Sequence, residues 1–165
     1  MDISKISVGK NPPEELNVII EVPLGGDPIK YEIDKASGLL VVDRFMPTAM
    51  HYPCDYGFVP NTLSTDGDPV DVLVISPLPI QPGCLMRTRA VGMLRMTDEH
   101  GEDNKILALP IKKICARYVN KDEMSDLSPV LLDSIIHFFE HYKGLEADKW
   151  VKVEGWADKD AAKIE

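Results

Sequence analysis

The first two-thirds of the sequence is built from short apolar segments that are separated by turns containing proline or glycine. In these segments branched apolar residues cluster, or apolar and polar residues alternate, and both patterns are typical of β-strands. The predicted strands cover residues 16–22, 29–33, 39–42, 70–75, 85–96 and 106–109. Because no helical pattern lies between them, they favour an antiparallel barrel or sandwich over a parallel sheet with crossover helices.

One amphipathic helix is predicted between Pro129 and Gly144. Ser128 is a candidate N-cap, proline suits the first helical position, and glycine commonly follows the end of a helix. Apolar residues at helical spacing predict a buried stripe of Leu131, Leu132, Ile135, Ile136, Phe139 and Tyr142. Residues 150–156 alternate like another strand, and residues 158–165 are compatible with a short helix. The predicted fold class is therefore α+β with a mostly β core.

Length, charge and cysteine content limit the class of protein. The chain has 165 residues, with 18 Lys and Arg against 27 Asp and Glu and a net charge of −9, and we expect one domain over residues 1–165. Nucleic acid and anionic membranes bind clustered basic residues, so neither is expected as a partner. No secretory signal is recognisable, and Cys54, Cys84 and Cys115 fit neither a disulfide framework nor a zinc motif. A cytoplasmic location is expected.

The most distinctive motif is an acidic turn, Asp66-Gly67-Asp68-Pro69-Val70-Asp71, directly before a predicted strand. Its three carboxylates repel one another unless cations or protons intervene. Gly67 permits unusual backbone angles and Pro69 fixes φ, so the turn can bring these side chains together. Oxygen ligands at this density suit Mg²⁺ or Mn²⁺. An ordinary acidic surface turn is the alternative, since Asp and Gly are common turn residues.

A second acidic segment lies between residues 98 and 103, and Lys105 follows it. Its acidic residues are Asp98, Glu99, Glu102 and Asp103. Taken alone, this segment is better explained as a solvated hairpin tip. Combined with the first turn, it favours a site with two metal ions for displacement at phosphorus, which needs several carboxylates together with cations.

Side chains that could bind an anion occur on the strand-like segments. Lys30 and Glu32 share one face of their strand because they are two residues apart. Arg44 follows another apolar segment, where a surface arginine would be unremarkable. Phenolic hydroxyls could come from Tyr52, Tyr56 and Tyr142, although isolated tyrosines usually serve in packing.

The segment from His137 to His141 matches the inverted zinc-protease motif H-x-x-E-H. Such a site needs a third protein ligand well beyond the motif, and the 24 residues that follow are mostly strand-like or turn-like. A helix surface or a subunit interface is the preferred interpretation.

The motifs, in their order along the chain, resemble those of the soluble family I inorganic pyrophosphatases, and most closely the bacterial members. The acidic turn resembles the D-x-D-x-x-D pattern of that family. The other segments that fit the family in order are 21–23 (EVP), 30–32 (KYE), 42–45 (VDRF), 52–57 (YPCDYG) and 149–156 (KWVKVEGW).

The resemblance implies a five-stranded OB-like β-barrel with flanking helices and Mg²⁺-dependent hydrolysis of pyrophosphate to two orthophosphates, with several Mg²⁺ ions in each active site. The implied metal ligands are Glu21, Asp66, Asp71, Asp98 and Asp103. Asp68 would be the general base for a water that bridges two metals. The residues implied to bind phosphate are Lys30, Arg44, Tyr56, Lys105, Tyr142 and Lys143, of which the first three would also act in catalysis. Glu32 and Tyr52 would support them.

The resemblance also implies a homohexamer, in which His137 and His141 could meet a neighbouring copy at a helix contact. Two other functions stay open from the residues alone. One is an OB-like module that binds single-stranded nucleic acid, which the charge of −9 opposes because such modules need a basic groove. The other is a divalent-cation buffer without turnover.

Overall fold

The computed structural model describes residues 2–165, which form nine β-strands and two α-helices. The strands are β1 (Leu16–Val22), β2 (Ile29–Ile33), β3 (Leu40–Phe45), β4 (Asp55–Phe58), β5 (Asp71–Val74), β6 (Leu85–Asp98), β7 (Gly101–Glu102), β8 (Lys105–Pro110) and β9 (Val151–Ala157). The helices are α1 (Pro129–His141) and α2 (Lys159–Ala162). Single 3₁₀ turns occur at Ile3–Lys5, Ala116–Tyr118 and Met124–Asp126. The predicted α+β class with a mostly β core is confirmed.

Five strands form a closed ring of hydrogen-bonded pairs. Around the ring, β1 pairs with β4, β4 with β5, β5 with β8 and β8 with β6, and β6 returns to β1. The long strand β6 also pairs with β7 and β9 outside the ring. Closure leaves the ring strands without a free edge, which is the way that a small antiparallel sheet avoids exposed backbone donors and acceptors.

One pair in the ring departs from the antiparallel prediction, because β5 and β8 are parallel. The chain leaves β5, forms the ring strand β6 and the β6–β7 hairpin, and returns as β8, which lies between β5 and β6 in the ring. The parallel register places Asp71 beside Lys105. It therefore joins the end of the acidic turn to the end of the second acidic segment.

Strand β4 and the short β7 were not expected from the apolar pattern. Strand β4 has four residues and packs tightly on β1, because a Cβ atom at Gly57 would lie 2.0 Å from the carbonyl oxygen of Ile19. Only glycine fits so close an approach of two backbones. Strands β2 and β3 form a separate two-stranded hairpin, in which Lys30 faces Arg44 across the strands.

Helix α1 begins at Pro129 as expected, but its buried face differs from the predicted stripe. Ile135, Phe138 and Phe139 are buried within the helix, and Tyr142 follows them, whereas Leu131, Leu132 and Ile136 are only partly buried. The Phe138 ring packs against the rings of Tyr52, Phe139 and Tyr142 with centroids 4.6–5.1 Å apart. Phe138 is thus a core residue that the helical spacing alone did not identify.

The buried apolar residues lie on both sides of the strand ring and form separate clusters. One cluster joins α1 to β4, β5, β6 and β8, and a second lies beneath α2. Within residues 2–165 no helix is both long and apolar enough to cross a bilayer.

Candidate active site

A cavity of about 620 Å³ opens between the strand ring, the β2–β3 hairpin and the end of α1. All fourteen site residues predicted from the sequence line it. They are Glu21, Lys30, Glu32, Arg44, Tyr52, Tyr56, Asp66, Asp68, Asp71, Asp98, Asp103, Lys105, Tyr142 and Lys143. Residues from seven separate parts of the sequence therefore meet in one place, and their chemical roles stay predictions.

The acidic turn is held in a defined shape by its own hydrogen bonds. The Asp68 amide donates to Asp66 Oδ1 over 2.9 Å, and the Ser64 amide donates to the Asp68 carbonyl over 2.7 Å. Gly67 has φ +91°, a backbone conformation that favours glycine. The Asp68 side chain stays 77 % exposed at the cavity mouth, where its nearest cation is Lys35 Nζ at 3.3 Å. The Asp68 carboxylate is therefore accessible both to solvent and to a ligand in the cavity.

Lys105 is the most deeply placed cation of the cavity. Its ammonium donates to Asp71 Oδ2 over 2.7 Å and to Asp103 Oδ1 over 2.8 Å. Burial alone would lower the pKa of Lys105, but the negative charges of Asp71 and Asp103 outweigh it and raise that pKa. The Lys105 Nζ also lies 5.5 Å from the centre of the Tyr56 ring. Lys105 is therefore a fixed positive charge at neutral pH.

Glu21 brings a buried carboxylate to the cavity from β1. Its Oε1 accepts a hydrogen bond from the Ile33 amide over 2.8 Å, which ties the β2–β3 hairpin to the ring. Burial raises the pKa of Glu21 to about 7, and the charges of Asp71 and Glu32 add to the shift. The positive charge near the Glu21 carboxylate is therefore too small to keep its pKa at the ordinary value.

The second acidic segment is a β6–β7 hairpin tip, and Asp98 and Asp103 within it line the cavity, unlike the solvated tip expected of this segment taken alone. Asp98 is buried, and its Oδ2 accepts a hydrogen bond from Lys143 Nζ over 2.7 Å. Burial opposes the ionised form, yet the bond from Lys143 lowers the pKa of Asp98. Glu99 lies beside the same ammonium, with Oε2 3.4 Å from Lys143 Nζ. The hairpin tip therefore faces the cavity through Asp98. The hydrogen bond from Lys143, which lies just after α1, holds Asp98 in this position.

The β2–β3 hairpin presents two cations on the opposite wall. Lys30 Nζ bonds to Glu32 and lies 3.6 Å from Asp43 Oδ2, to which Arg44 donates over 3.0 Å. Arg44 Nε is 3.1 Å from Glu146 Oε1, an ion pair without the angle of a hydrogen bond. Both cations line the cavity, and their ion pairs with these carboxylates hold them in place there.

The three predicted tyrosines are all buried, unlike the half-buried packing role that isolated tyrosines usually have. Burial raises the pKa of Tyr52, Tyr56 and Tyr142, so their hydroxyls stay protonated. The Tyr52 and Tyr56 ring centroids lie 5.6 Å apart. Protonated phenols on the cavity wall can donate hydrogen bonds to an anion.

Three charged residues near the cavity, Lys35, Glu146 and Lys149, were not among the predicted site residues. Lys35 and Lys149 line the cavity, and Glu146 contacts both Arg44 and Lys149, with Lys149 Nζ 3.0 Å from Glu146 Oε1. Lys149 lies at the start of segment 149–156, which resembles the corresponding segment of the family, so the sequence held a signal for it. For Glu146 no spacing rule applies, since it lies in an irregular segment after α1.

The donor set fits a hard divalent cation better than zinc. Glu21, Asp66, Asp71, Asp98 and Asp103 offer only carboxylate oxygens, which Mg²⁺ prefers. As residues 2–165 stand, no three His, Cys, Asp or Glu side chains are grouped closely enough to hold an ion, and Lys105 and Lys143 occupy oxygens of this set. An ion would compete with these ammonium groups. On α1 the exposed His137 and His141 rings are 4.4 Å apart, and among the residues that the structure describes no third ligand for zinc is grouped with them.

Comparisons with known proteins agree with this site. A family model described as inorganic pyrophosphatase matches residues 18–165. The inorganic pyrophosphatase of Rhodospirillum rubrum is 59% identical over 158 residues, which are 96% of this chain and 88% of that protein. The Escherichia coli K12 inorganic pyrophosphatase is 56% identical over 165 residues, 100% of this chain and 94% of that protein.

A solved structure agrees as well. The inorganic pyrophosphatase of Coxiella burnetii superposes with a TM-score of 0.94 at 58% identity, covering 96% of this chain and 94% of that chain. Sequence and structure both match over nearly the full length of these relatives. The chain therefore belongs to the inorganic pyrophosphatase family.

Proposed function

We propose that this protein hydrolyses inorganic pyrophosphate to two orthophosphates, as the names of its relatives indicate for them. The observation that carries the proposal is the composition of one cavity wall. Carboxylates, ammonium groups, a guanidinium and protonated phenols line a single space of about 620 Å³. A phosphoric anhydride with its accompanying cations is the ligand class that needs both charge signs so close together.

Mg²⁺ is the cofactor of this proposal, with several ions in each site. Glu21, Asp66, Asp71, Asp98 and Asp103 would hold it. When bound, Mg²⁺ supplies a lowered pKa for water and offsets charge on the phosphates. Five carboxylates around one cavity would otherwise repel one another and the substrate.

Asp68 is proposed as the general base. Its carboxylate is 77 % exposed and its nearest cation is the exposed Lys35, so it can accept a proton from an attacking water and release it to solvent. The neighbouring Asp66 accepts the Asp68 amide, which fixes the turn while leaving the Asp68 side chain free to act.

Phosphate binding is assigned to the cations and phenols of the cavity. Lys30, Arg44, Tyr56, Lys105, Tyr142 and Lys143 would bind the two phosphates and offset the charge on them. Glu32 and Tyr52 would support these groups, Glu32 through its bond to Lys30 and Tyr52 through its packing on Tyr56.

The charge of the cavity explains how an acidic protein can take an anionic substrate. The predicted site has seven acidic and four basic side chains, so it contributes −3 to the total of −9. Each Mg²⁺ adds two positive charges, and two ions reverse the sign of the site. The substrate is therefore expected to bind only together with metal.

Further parts of the proposal concern the architecture and setting of the enzyme. We propose that the five-strand ring is an OB-like barrel, that residues 1–165 form one domain, and that six copies assemble as a homohexamer. The ring closure through β1 and β6 supports the first point. A cytoplasmic location is supported by Cys54, Cys84 and Cys115, which are free thiols.

Orthophosphate release from pyrophosphate tests the proposed function. The full chain is assayed with millimolar Mg²⁺, with EDTA, and with ATP in place of pyrophosphate. Release with pyrophosphate and Mg²⁺, and loss of release with EDTA, is expected. Binding of Mg²⁺ without any release would contradict the enzyme and favour a cation buffer, and binding of single-stranded DNA in the same buffer would favour a nucleic-acid module.

A further inference from the structure

Glu165 connects the two chain segments that carry most of the acidic residues of the cavity. Its Oε1 accepts a hydrogen bond from Ser64 Oγ over 3.0 Å, and its Oε2 accepts one from Asn104 Nδ2 over 3.3 Å. The partners lie 101 and 61 positions away in the sequence. One carboxylate thus connects two segments that lie far apart in the sequence.

On the first side, Ser64 closes the acidic turn. The Ser64 amide donates to the Asp68 carbonyl over 2.7 Å, and the Gly67 amide donates to the Ser64 carbonyl over 3.0 Å. Because Ser64 is bonded to the turn through its backbone and to Glu165 through its side chain, a shift of Ser64 would carry Asp66 and Asp68 with it.

On the second side, Asn104 stands between Asp103 and Lys105. Its Oδ1 accepts a bond from the Met96 amide over 3.4 Å, and the Asp103 amide donates to the Met96 carbonyl over 2.9 Å. Asn104 is therefore fixed to β6 by one end of its amide and to Glu165 by the other. The position of Asp103 follows from that of Asn104.

Helix α2 brings Glu165 to this place. Asp158 caps the helix by accepting the Ala161 amide over 3.0 Å, and Ala162 is buried in the apolar cluster below it. Glu165 and Asn104 line a second cavity of about 290 Å³. Glu102 lines both this cavity and the proposed site, so the two cavities adjoin at that residue.

We propose that Glu165 is a positioning residue for metal binding, which sets the separation between the acidic turn and Asp103 through its two hydrogen bonds. The inference rests on the proposed function, because it requires carboxylates of both segments to bind Mg²⁺. Mg²⁺ demands near-ideal octahedral geometry, so its affinity depends on ligand separation. Loss of a group that orients metal ligands typically weakens metal affinity about 10–100-fold.

Calorimetric titration of the full chain with Mg²⁺, without pyrophosphate, tests the inference. Glu165→Ala is expected to raise the Kd for Mg²⁺ at least ~10-fold. Glu165→Gln is expected to stay near the wild-type Kd, because its oxygen can accept from Asn104 and its amide can donate to Ser64 Oγ. If Glu165→Gln bound Mg²⁺ as weakly as Glu165→Ala, the charge rather than the two bonds would matter, and the inference would be wrong.

Glu154→Ala is the matched control, since Glu154 lines the same second cavity and its side chain has no hydrogen-bond or ion-pair partner among residues 2–165. It removes the same charge and is expected to leave the Kd for Mg²⁺ unchanged. Ser64→Ala tests the connection directly. Because Ser64→Ala removes one of the two bonds that Glu165→Ala also removes, the double variant should bind Mg²⁺ no more weakly than Glu165→Ala alone.

A purely structural role would appear as a lower melting temperature with an unchanged Kd for Mg²⁺ in the folded protein, and this outcome would overturn the inference. If Glu165→Ala does not fold, Ser64→Ala and Glu165→Gln decide, and an unchanged Kd in Ser64→Ala overturns it. A wild-type protein without pyrophosphatase activity would instead contradict the proposed function, and the Mg²⁺ titrations would still judge the inference.

Discussion

Lys105 lies directly beside Asp71 across the parallel strands β5 and β8, and its ammonium donates to Asp71 Oδ2 over 2.7 Å. The same ammonium donates to Asp103 Oδ1, so one buried cation holds two carboxylates that come from separate acidic segments. The parallel register creates this contact, because it is the pairing that brings the start of β5 to the start of β8.

Replacement of Lys105 by methionine is expected to destabilise the metal-free protein. Asp71 and Asp103 would face each other without their shared cation, and breaking a buried pair in this way typically costs about 3–5 kcal/mol. Urea unfolding at pH 8 in EDTA measures the change. Lys112→Met is the control, because Lys112 pairs with Asp122 at the surface and such pairs contribute about 0–1 kcal/mol. Equal losses in the two variants would contradict the central role of Lys105.

Asp68→Asn is expected to lower turnover of pyrophosphate at least ~10²-fold, the usual contribution of a general base, while Mg²⁺ binding stays largely intact. The amide keeps the size of the side chain but cannot accept the proton. Phosphate release and Mg²⁺ titration measure the two effects separately, with the exposed Asp133→Asn on α1 as control. Near-normal turnover would remove Asp68 from the role of base.

Mg²⁺ is expected to stabilise the folded chain. An ion that binds only the folded state adds about 2.7 kcal/mol at a concentration of one hundred times its Kd. Thermal unfolding in MgCl₂ and in NaCl of equal ionic strength separates specific binding from screening. Asp71→Asn should reduce the difference between the two salts, and an identical melting temperature in both salts would argue against the metal site.

Cys54 is expected to be inert in the folded protein and Cys84 reactive. Burial raises the pKa of the Cys54 thiol, and the charge of Asp55 raises it further, so the nucleophilic thiolate is suppressed. Cys84 is exposed. Labelling of the native protein with DTNB at pH 8, read by peptide mass spectrometry, should modify Cys84 and spare Cys54 until the chain is unfolded. Rapid native labelling of Cys54 would show that the region opens.

The histidine pair on α1 predicts an acid-sensitive assembly. His137 and His141 are exposed with ring centroids 4.4 Å apart, and histidine is the side chain that ordinarily gains charge between pH 8 and pH 5. If this helix face meets its copy in a hexamer, acid would place like charges together. Sedimentation velocity at both pH values should show dissociation at pH 5. The variant with both histidines replaced by glutamine should stay assembled, and no pH effect in the wild type would exclude the pair from the interface.

Several elements could be predicted from local pattern alone. Strands β1 and β2 have the predicted bounds, and α1 begins at Pro129, because apolar periodicity and end signals act over a few neighbouring residues. Strand β4 and the burial of Phe138 were missed for the opposite reason. Strand β4 depends on the close approach of Gly57 to β1, and Phe138 packs against the ring of Tyr52, which comes from a distant segment.

The sequence by itself determined the chemical inventory of the site, namely which acids, cations and phenols are available and that they are arranged in the order typical of one family. Only the tertiary structure decided which of them touch, such as Lys105 with Asp71 and Asp103, Lys143 with Asp98, and Glu165 with Ser64 and Asn104. The physical reason is range. Turn and strand preferences are local, whereas the contacts that set charge and position in the cavity join residues up to 101 positions apart and exist only once the strand ring has closed.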